Sequence, residues 1–328
     1  MQQRLISPDF IKGICIILMV YGHISYIGEY SSYQQQIKIF IYTFHMPLFL
    51  IVSGILFHFN GQFKERVVKV LQRIGVPYVI FFSLYLLGLF LVKLIGIPTT
   101  NPPPDSFSNV IYSLFLSPYG GFWFLHSLLL IQISILVIKL LKFEDTNNFY
   151  FLLSILLIML FLSQLHLVAF HTSIYFFIGM LLSKITNKNI DIKVTTGFLF
   201  ILLFTLIIIL SSSDFLKSLS NFEIIWCLLL FIFLWSLAKH YQNNLLIIIP
   251  NWIGRNSLSI LCWHSLFIVA MKPLKGILLN LDNSGLSYSA FVTIMTILLS
   301  LFAAIIMDKL KLSSFIFGTN KNYQQFKH

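Results

Sequence analysis

Charge is scarce in this sequence. Asp, Glu, Lys and Arg make up only 10% of the residues, against about a quarter in a soluble domain, so the chain cannot clothe itself in a solvated surface. Cysteine is scarce too. Cys15, Cys227 and Cys262 all lie in apolar runs without metal-ligand spacing, which excludes both a disulfide framework and a zinc site, and no metal is expected. There is no serine–histidine–acid order and no glycine-rich phosphate loop, so a soluble hydrolase or nucleotidase has no support. No internal repeat and no soluble domain are visible. The net charge of +11 does not imply nucleic acid, because the basic residues gather in the loops of one side, as anchoring at a membrane requires.

What is abundant is apolar sequence, 58% of 328 residues. A helix needs about 20 apolar residues to cross hydrocarbon. On that measure the chain reads as an all-α, polytopic membrane bundle of about ten spans, at about 8–28, 37–59, 76–97, 122–141, 149–165, 168–185, 195–212, 222–239, 252–271 and 287–308. Residues 1–328 form one transmembrane domain, ending in a polar tail at about 309–328. The first span is a membrane helix rather than a signal peptide, since Asp9, Lys12 and His23 interrupt it and no small-residue cleavage site follows. The longest loop, from Pro98 to Gly121, is expected to hold a short helix or re-entrant piece around Phe107–Leu116.

Lysine and arginine set the orientation. With the N-terminus inside, inner segments hold Arg4, the strip Lys64, Arg66, Lys69 and Arg73, then Lys139 and Lys142, Lys184, Lys188 and Lys193, Lys239 and Arg255, and the tail lysines from Lys309 to Lys327. Outer segments hold Lys217, Lys272 and Lys275, and Lys12, Lys38 and Lys93 fall within or at the edges of spans. This bias places both termini in the cytoplasm.

Ionisable groups inside a span are costly and mark functional positions. In the first span Asp9 and Lys12 share a helix face, and His23 lies three turns beyond Lys12 on the same stripe, which Tyr26 continues. His23 sits roughly 20 Å further in than the charged pair, so Asp9 cannot orient it. His45, in FHMPLF of the second span, is expected to reach the same outer cavity, beside a kink or freed carbonyl at Pro47. Ser53 and Gly54 allow close packing deeper down. A neutral imidazole can accept a hydroxyl proton, or can serve as a hydrogen-bonding strut. The residues alone do not choose between those roles, nor between His23 and His45.

The strip after the second span places Arg66, Lys69 and Arg73 on one helix face. It reads either as an anchor to anionic membrane lipid or as a site for a phosphorylated cytosolic ligand. Trp123 fits an aromatic belt at the outer interface with His126 beside it, and His166 and His171 flank an outer turn. His264 lies mid-span after Arg255, Asn256 and Ser257, and asks for a partner. The same features also fit a transporter or flippase for a glycan or small anion, although that class commonly carries the two-half repeat absent here.

DFIKGICIILMVYGH, FHMPLFLIVSGILF, RIGVPY, FWFL and IGRNSLSILCWHSLF follow one another in an order that resembles the membrane acyltransferase 3 family, within it the fucose 4-O-acetylase type that modifies surface polysaccharides. The resemblance runs from Asp9 to about Phe267. It implies a ten-helix membrane enzyme that moves an acyl group, usually acetyl from acetyl-CoA, onto a hydroxyl of a carbohydrate or lipid-linked glycan, in a bacterial cytoplasmic membrane. It implies His23 as the catalytic residue; Asp9, Lys12, His45 and His264, singled out above as ionisable groups in spans, stand as supporting or second candidates. It places the CoA phosphates at Arg66, Lys69 and Arg73, where Lys69 stands at a position that is often arginine in the family, so one bidentate fork is lost. Another donor, such as succinyl-CoA, fits the same pattern.

Overall fold

A computed structural model describes residues 6–57, 61–96, 102–140, 149–185, 192–211 and 222–326. Arg4, Lys142, Lys188, Lys217 and Lys327, among the charges that set the orientation, lie outside the described residues. All regular structure among the described residues is helical: α1 (Ile6–Gly22), α2 (Ser31–Tyr42), α3 (His45–Leu56), α4 (Phe63–Val70), α5 (Val76–Leu94), α6 (Phe107–Phe115), α7 (Trp123–Lys139), α8 (Phe149–Gln164), α9 (Phe170–Ile185), α10 (Val194–Ser211), α11 (Glu223–His240), α12 (Leu245–Arg255), α13 (Ser257–Ala270), α14 (Lys275–Leu281), α15 (Leu286–Lys309) and α16 (Leu312–Ile316).

Each expected span falls on helix, but the helices differ in length. Five described segments are long and apolar enough to cross a membrane: Ser31–Leu56, Phe63–Leu94, Gly120–Lys139, Glu223–His240 and Leu286–Lys309. Leu245–Arg255 and Ser257–Ala270 make a sixth if the pair, bent by 78°, counts as one. The helices α1, α8 and α9, at 17, 16 and 16 residues, fall short of the roughly 20 that span hydrocarbon.

Several boundaries move for identifiable reasons. The first helix stops at Gly22 rather than running to residue 28, so His23 opens a loop. The carbonyls freed there are taken locally: the Tyr42 hydroxyl donates to Gly22 O and the Tyr26 hydroxyl to Tyr21 O, both at 3.0 Å. The basic strip is not a separate loop helix but the first part of one continuous helix with α5. The ninth span, expected at 252–271, is broken at Asn256 between α12 and α13.

α1 is the central element. It is buried along most of its length and packs on α12, α3 and α11. At the α1–α12 crossing a Cβ on Gly13 would lie 1.7 Å from Pro250 O, and one on Gly254 1.7 Å from Asp9 O. Backbone thus touches backbone, as small residues permit inside membranes. α3 crosses α9 in the same way, through Gly54 and Gly179. The expected short helix of the long loop is α6. Tyr78 O–H donates to Leu114 O and His126 Nε2 bonds Phe115 O at 2.8 Å, tying the end of α6 into the bundle. The chain then returns to Gly120, which lies against the Tyr85 ring, two turns further along α5. His126 is buried there.

Candidate active site

Two cavities open between α1, α3 and α7. The first, of about 510 Å³, is lined by Lys12 from α1, Ser53 from α3, Arg66, Lys69 and Arg73 from the basic helix, and Gln132 from α7. The three strip cations expected on one face do share this cavity, and Lys12 joins them. Arg73 sits in a π-helical turn, Leu71–Gly75, closed by Val76 N–H to Leu71 O. Pro77 has no N–H to give the Arg73 carbonyl, so an ordinary turn cannot continue there and the helix widens. Lys12 Nζ pairs with Asp9 Oδ1 at 2.7 Å, and Arg255 Nε lies 3.9 Å from Asp9 Oδ2. Asp9 is only 3% exposed, so its charge is held inside the bundle by these two cations.

The second cavity, about 240 Å³, is lined by Met19, His23, Tyr42, His45, Gly121 and Trp123, with Met46 and Leu261. His23 and His45 thus share one cavity, as their depths suggested. His264 stands behind them, fully buried, its ring centroid 5.2 Å from that of His23. His45 Nδ1 is 2.9 Å from Ile41 O, and His264 Nδ1 is 2.8 Å from Leu261 O. A carbonyl only accepts, so in both rings Nδ1 carries the proton and Nε2 keeps its lone pair. His264 Nε2 lies 3.1 Å from the Ser265 hydroxyl, the partner that its depth called for. His23 has no hydrogen bond to its ring among the described residues, which leaves its nitrogens open to the cavity. Among the described residues no three His, Cys, Asp or Glu groups converge to hold a metal ion.

The sequence around each histidine explains its place. Pro47 falls in the first turn of α3 and leaves Thr43 O without its helical donor. The Cys227 thiol, 3.3 Å away, takes that carbonyl. The result is a break between α2 and α3 at residues 43–44 that turns His45 inward.

The same three helices line both cavities. α1 carries Lys12 in one and Met19 in the other, with His23 just past its end; α3 carries Ser53 and His45; α7 carries Gln132 and Trp123. Lys12 and His23 are about 16 Å apart by helical rise. Between them Cys15, Ile16 and Val20 are 0–1% exposed, so this face of the intervening stretch of α1 is packed against its neighbours.

Compared with known families, residues 5–305 match the sequence model of the acyltransferase 3 family, described as an acyltransferase domain. The chain belongs to this family. Neither a curated protein nor a solved structure matches it. It is therefore a membrane acyltransferase, and the two cavities are the places to look for its chemistry.

Some residues of this acyltransferase site are not marked in the sequence. Gly121 is one: a Cβ there would sit 2.9 Å from His264 Cε1 and 3.8 Å from His23 Nε2. The Gly-Gly pair ahead of FWFL is a signal for close approach that could have found it. Tyr42 also lines the cavity and stacks on His45, with centroids 4.9 Å apart. Only the fold brings it there. His166 and His171, by contrast, are exposed and line neither cavity.

Proposed function

We propose that this membrane acyltransferase is an O-acetyltransferase, taking acetyl from cytosolic acetyl-CoA and giving it to a hydroxyl of a carbohydrate or lipid-linked glycan of the cell envelope. One observation carries the reading: a cavity with four cations and a cavity with two histidines lie along the same three helices. Guanidinium and ammonium groups suit the phosphates of CoA, and the long pantetheine arm suits the distance of about 16 Å by helical rise from Lys12 to His23. In the step itself His23 accepts the proton of the acceptor hydroxyl. The hydroxyl oxygen then attacks the acetyl carbonyl, the thioester C–S bond breaks, and the CoA thiolate takes the proton back from the imidazolium. His45, His264 and the Asp9–Lys12 pair support the two cavities.

The orientation that goes with this reading has ten spans, both termini in the cytoplasm and the cationic cavity facing the cytosol of a bacterial cell, in line with the distribution of lysine and arginine. The fucose 4-O-acetylase-type branch is the proposed place within the family. The test is transfer of labelled acetyl from acetyl-CoA in membranes holding the protein or its His23→Ala variant at matched expression. Label in a carbohydrate or lipid-linked fraction only with His23 present supports the reading. Equal label with both moves the base to His45 or His264. Substrate flux in sealed vesicles without acetyl loss would overturn it in favour of transport.

A further inference from the structure

The C-terminal segment after α16 does not hang free. Phe317 is buried and stacks on Phe81, with centroids 6.0 Å apart. Gly318 then crosses the basic helix so closely that a Cβ on it would stand 3.0 Å from Gln72 Cβ. Gln72 lies in the π-helical turn, next to Arg73. Further on, Asn322 N and Tyr323 N both donate to the Asp308 carboxylate at 2.9 Å, and Asn322 Nδ2 donates to Ser259 Oγ at 2.6 Å. Gln324 forms a reciprocal pair with the buried amide of Asn256: its N–H donates to Asn256 Oδ1 at 2.8 Å, and its carbonyl accepts from Asn256 Nδ2 at 3.1 Å. Trp252 Nε1 donates to the same carbonyl at 2.9 Å, and the Trp252 ring meets Phe326 edge-on.

The anchoring points have a common meaning. A 78° bend at Asn256 opens the backbone between α12 and α13, and buried polar groups at such an opening need partners. The tail supplies them. The residue before the break is Arg255, which faces Asp9, which in turn pairs with Lys12 at the cationic cavity. Through Gly318 the same tail bears on the turn that presents Arg73. One strap therefore touches the supports of that cavity from two sides.

We infer that residues 317–326 are a positioning strap for the cationic cavity: seated across Asn256 and Gln72, they hold Lys12 and Arg73 in register for a phosphorylated ligand. The choice of coenzyme A as that ligand rests on the proposed function; the strap's geometry does not.

The experiment compares the full chain with a version lacking residues 318–328, and with Asn322→Ala and Ser259→Ala, in detergent. The readouts are coenzyme A affinity, turnover at saturating acetyl-CoA, and amide hydrogen exchange over residues 66–75. The strap predicts that truncation weakens coenzyme A binding about tenfold, leaves saturated turnover unchanged and speeds exchange in the basic helix. The point variants should move binding the same way by less, and equally, since each removes the same bond. Unchanged affinity in a folded truncated chain, or lost turnover with affinity intact, overturns the strap. If truncation prevents folding, wild-type affinity in both point variants overturns it. If the full chain binds no coenzyme A, the donor reading fails, and exchange decides alone: faster exchange on truncation supports the strap and unchanged exchange overturns it.

Discussion

The rings of His23 and His264 stand 5.2 Å apart, tilted by 50°, although one follows the first helix and the other sits in α13. Only His23 opens into the cavity, while His264 is sealed behind it with Nδ1 on a backbone carbonyl. Their replacement should therefore differ. His23→Ala should lower acetyl transfer by about 10²–10⁴-fold, the range of a lost general base, with coenzyme A affinity retained. His264→Ala should cost less, since it removes a support for the His23 ring rather than the proton acceptor. Initial rates in membranes with matched expression check both.

Gly121 is the third side of that contact. Gly121→Ala puts a methyl group 2.9 Å from His264 Cε1, closer than a carbon–carbon contact allows. The ring must turn or the 120–122 segment must lift. Turnover should fall while the melting temperature in detergent drops only modestly, because α7 itself remains packed. A Gly121→Ala protein with wild-type turnover would show that the His23–His264 contact has no part in the reaction.

At the other cavity, Arg73→Gln should raise the KM for acetyl-CoA about tenfold, in line with the loss of one charge-assisted contact, and leave kcat nearly unchanged. Arg73→Lys should recover only part of the loss, because an ammonium cannot make the bidentate fork. Steady-state kinetics with acetyl-CoA varied separates the two effects. A kcat defect with normal KM would mean that Arg73 acts on the reaction rather than on donor binding.

Asp282 caps the start of α15 from outside the apolar helices. Its carboxylate accepts from Ser284 N and from the N–H and hydroxyl of Ser287, at 2.8–2.9 Å. Hydrogen bonds from Ser284 first, and then from Ser287, hold this carboxyl well below the ordinary carboxylate range. A depressed folded-state value contributes stability that is complete above the unfolded value, near 3.8, and fades as pH falls below it toward the folded one. Asp282→Asn should therefore melt lower than wild type at neutral pH, with the gap closing only below that point. Melting curves of both proteins across that range test the sign.

The sequence was informative where the membrane makes strict demands. Apolar length marked the helices, the cost of burying charge singled out Lys12, His23 and His45, and helix spacing put Arg66, Lys69 and Arg73 on one face; all six line the two cavities. It was silent where the answer depends on tertiary contact. The stop at Gly22 depends on Tyr42 reaching back from α2. The break at Asn256 lies inside a run apolar enough to read as one span, and its partner is Gln324, far along the chain. His126 carries the same letter as the exposed His166, and only the docking of the end of α6 on its ring explains why one is buried. Helix periodicity does not encode contacts of this kind.

The crossing of Gly13 with Gly254 has a consequence for biogenesis. α1 leaves the ribosome well before α12, yet the backbone surface on which it lies belongs to α12. Throughout most of translation that face of the first helix has no native neighbour and must be kept from wrong ones. His264, the strap and Leu261 of the histidine cavity arrive later still. A chain released before α13 thus lacks Leu261 and His264, and the histidine cavity is complete only when α13 is inserted beside α1.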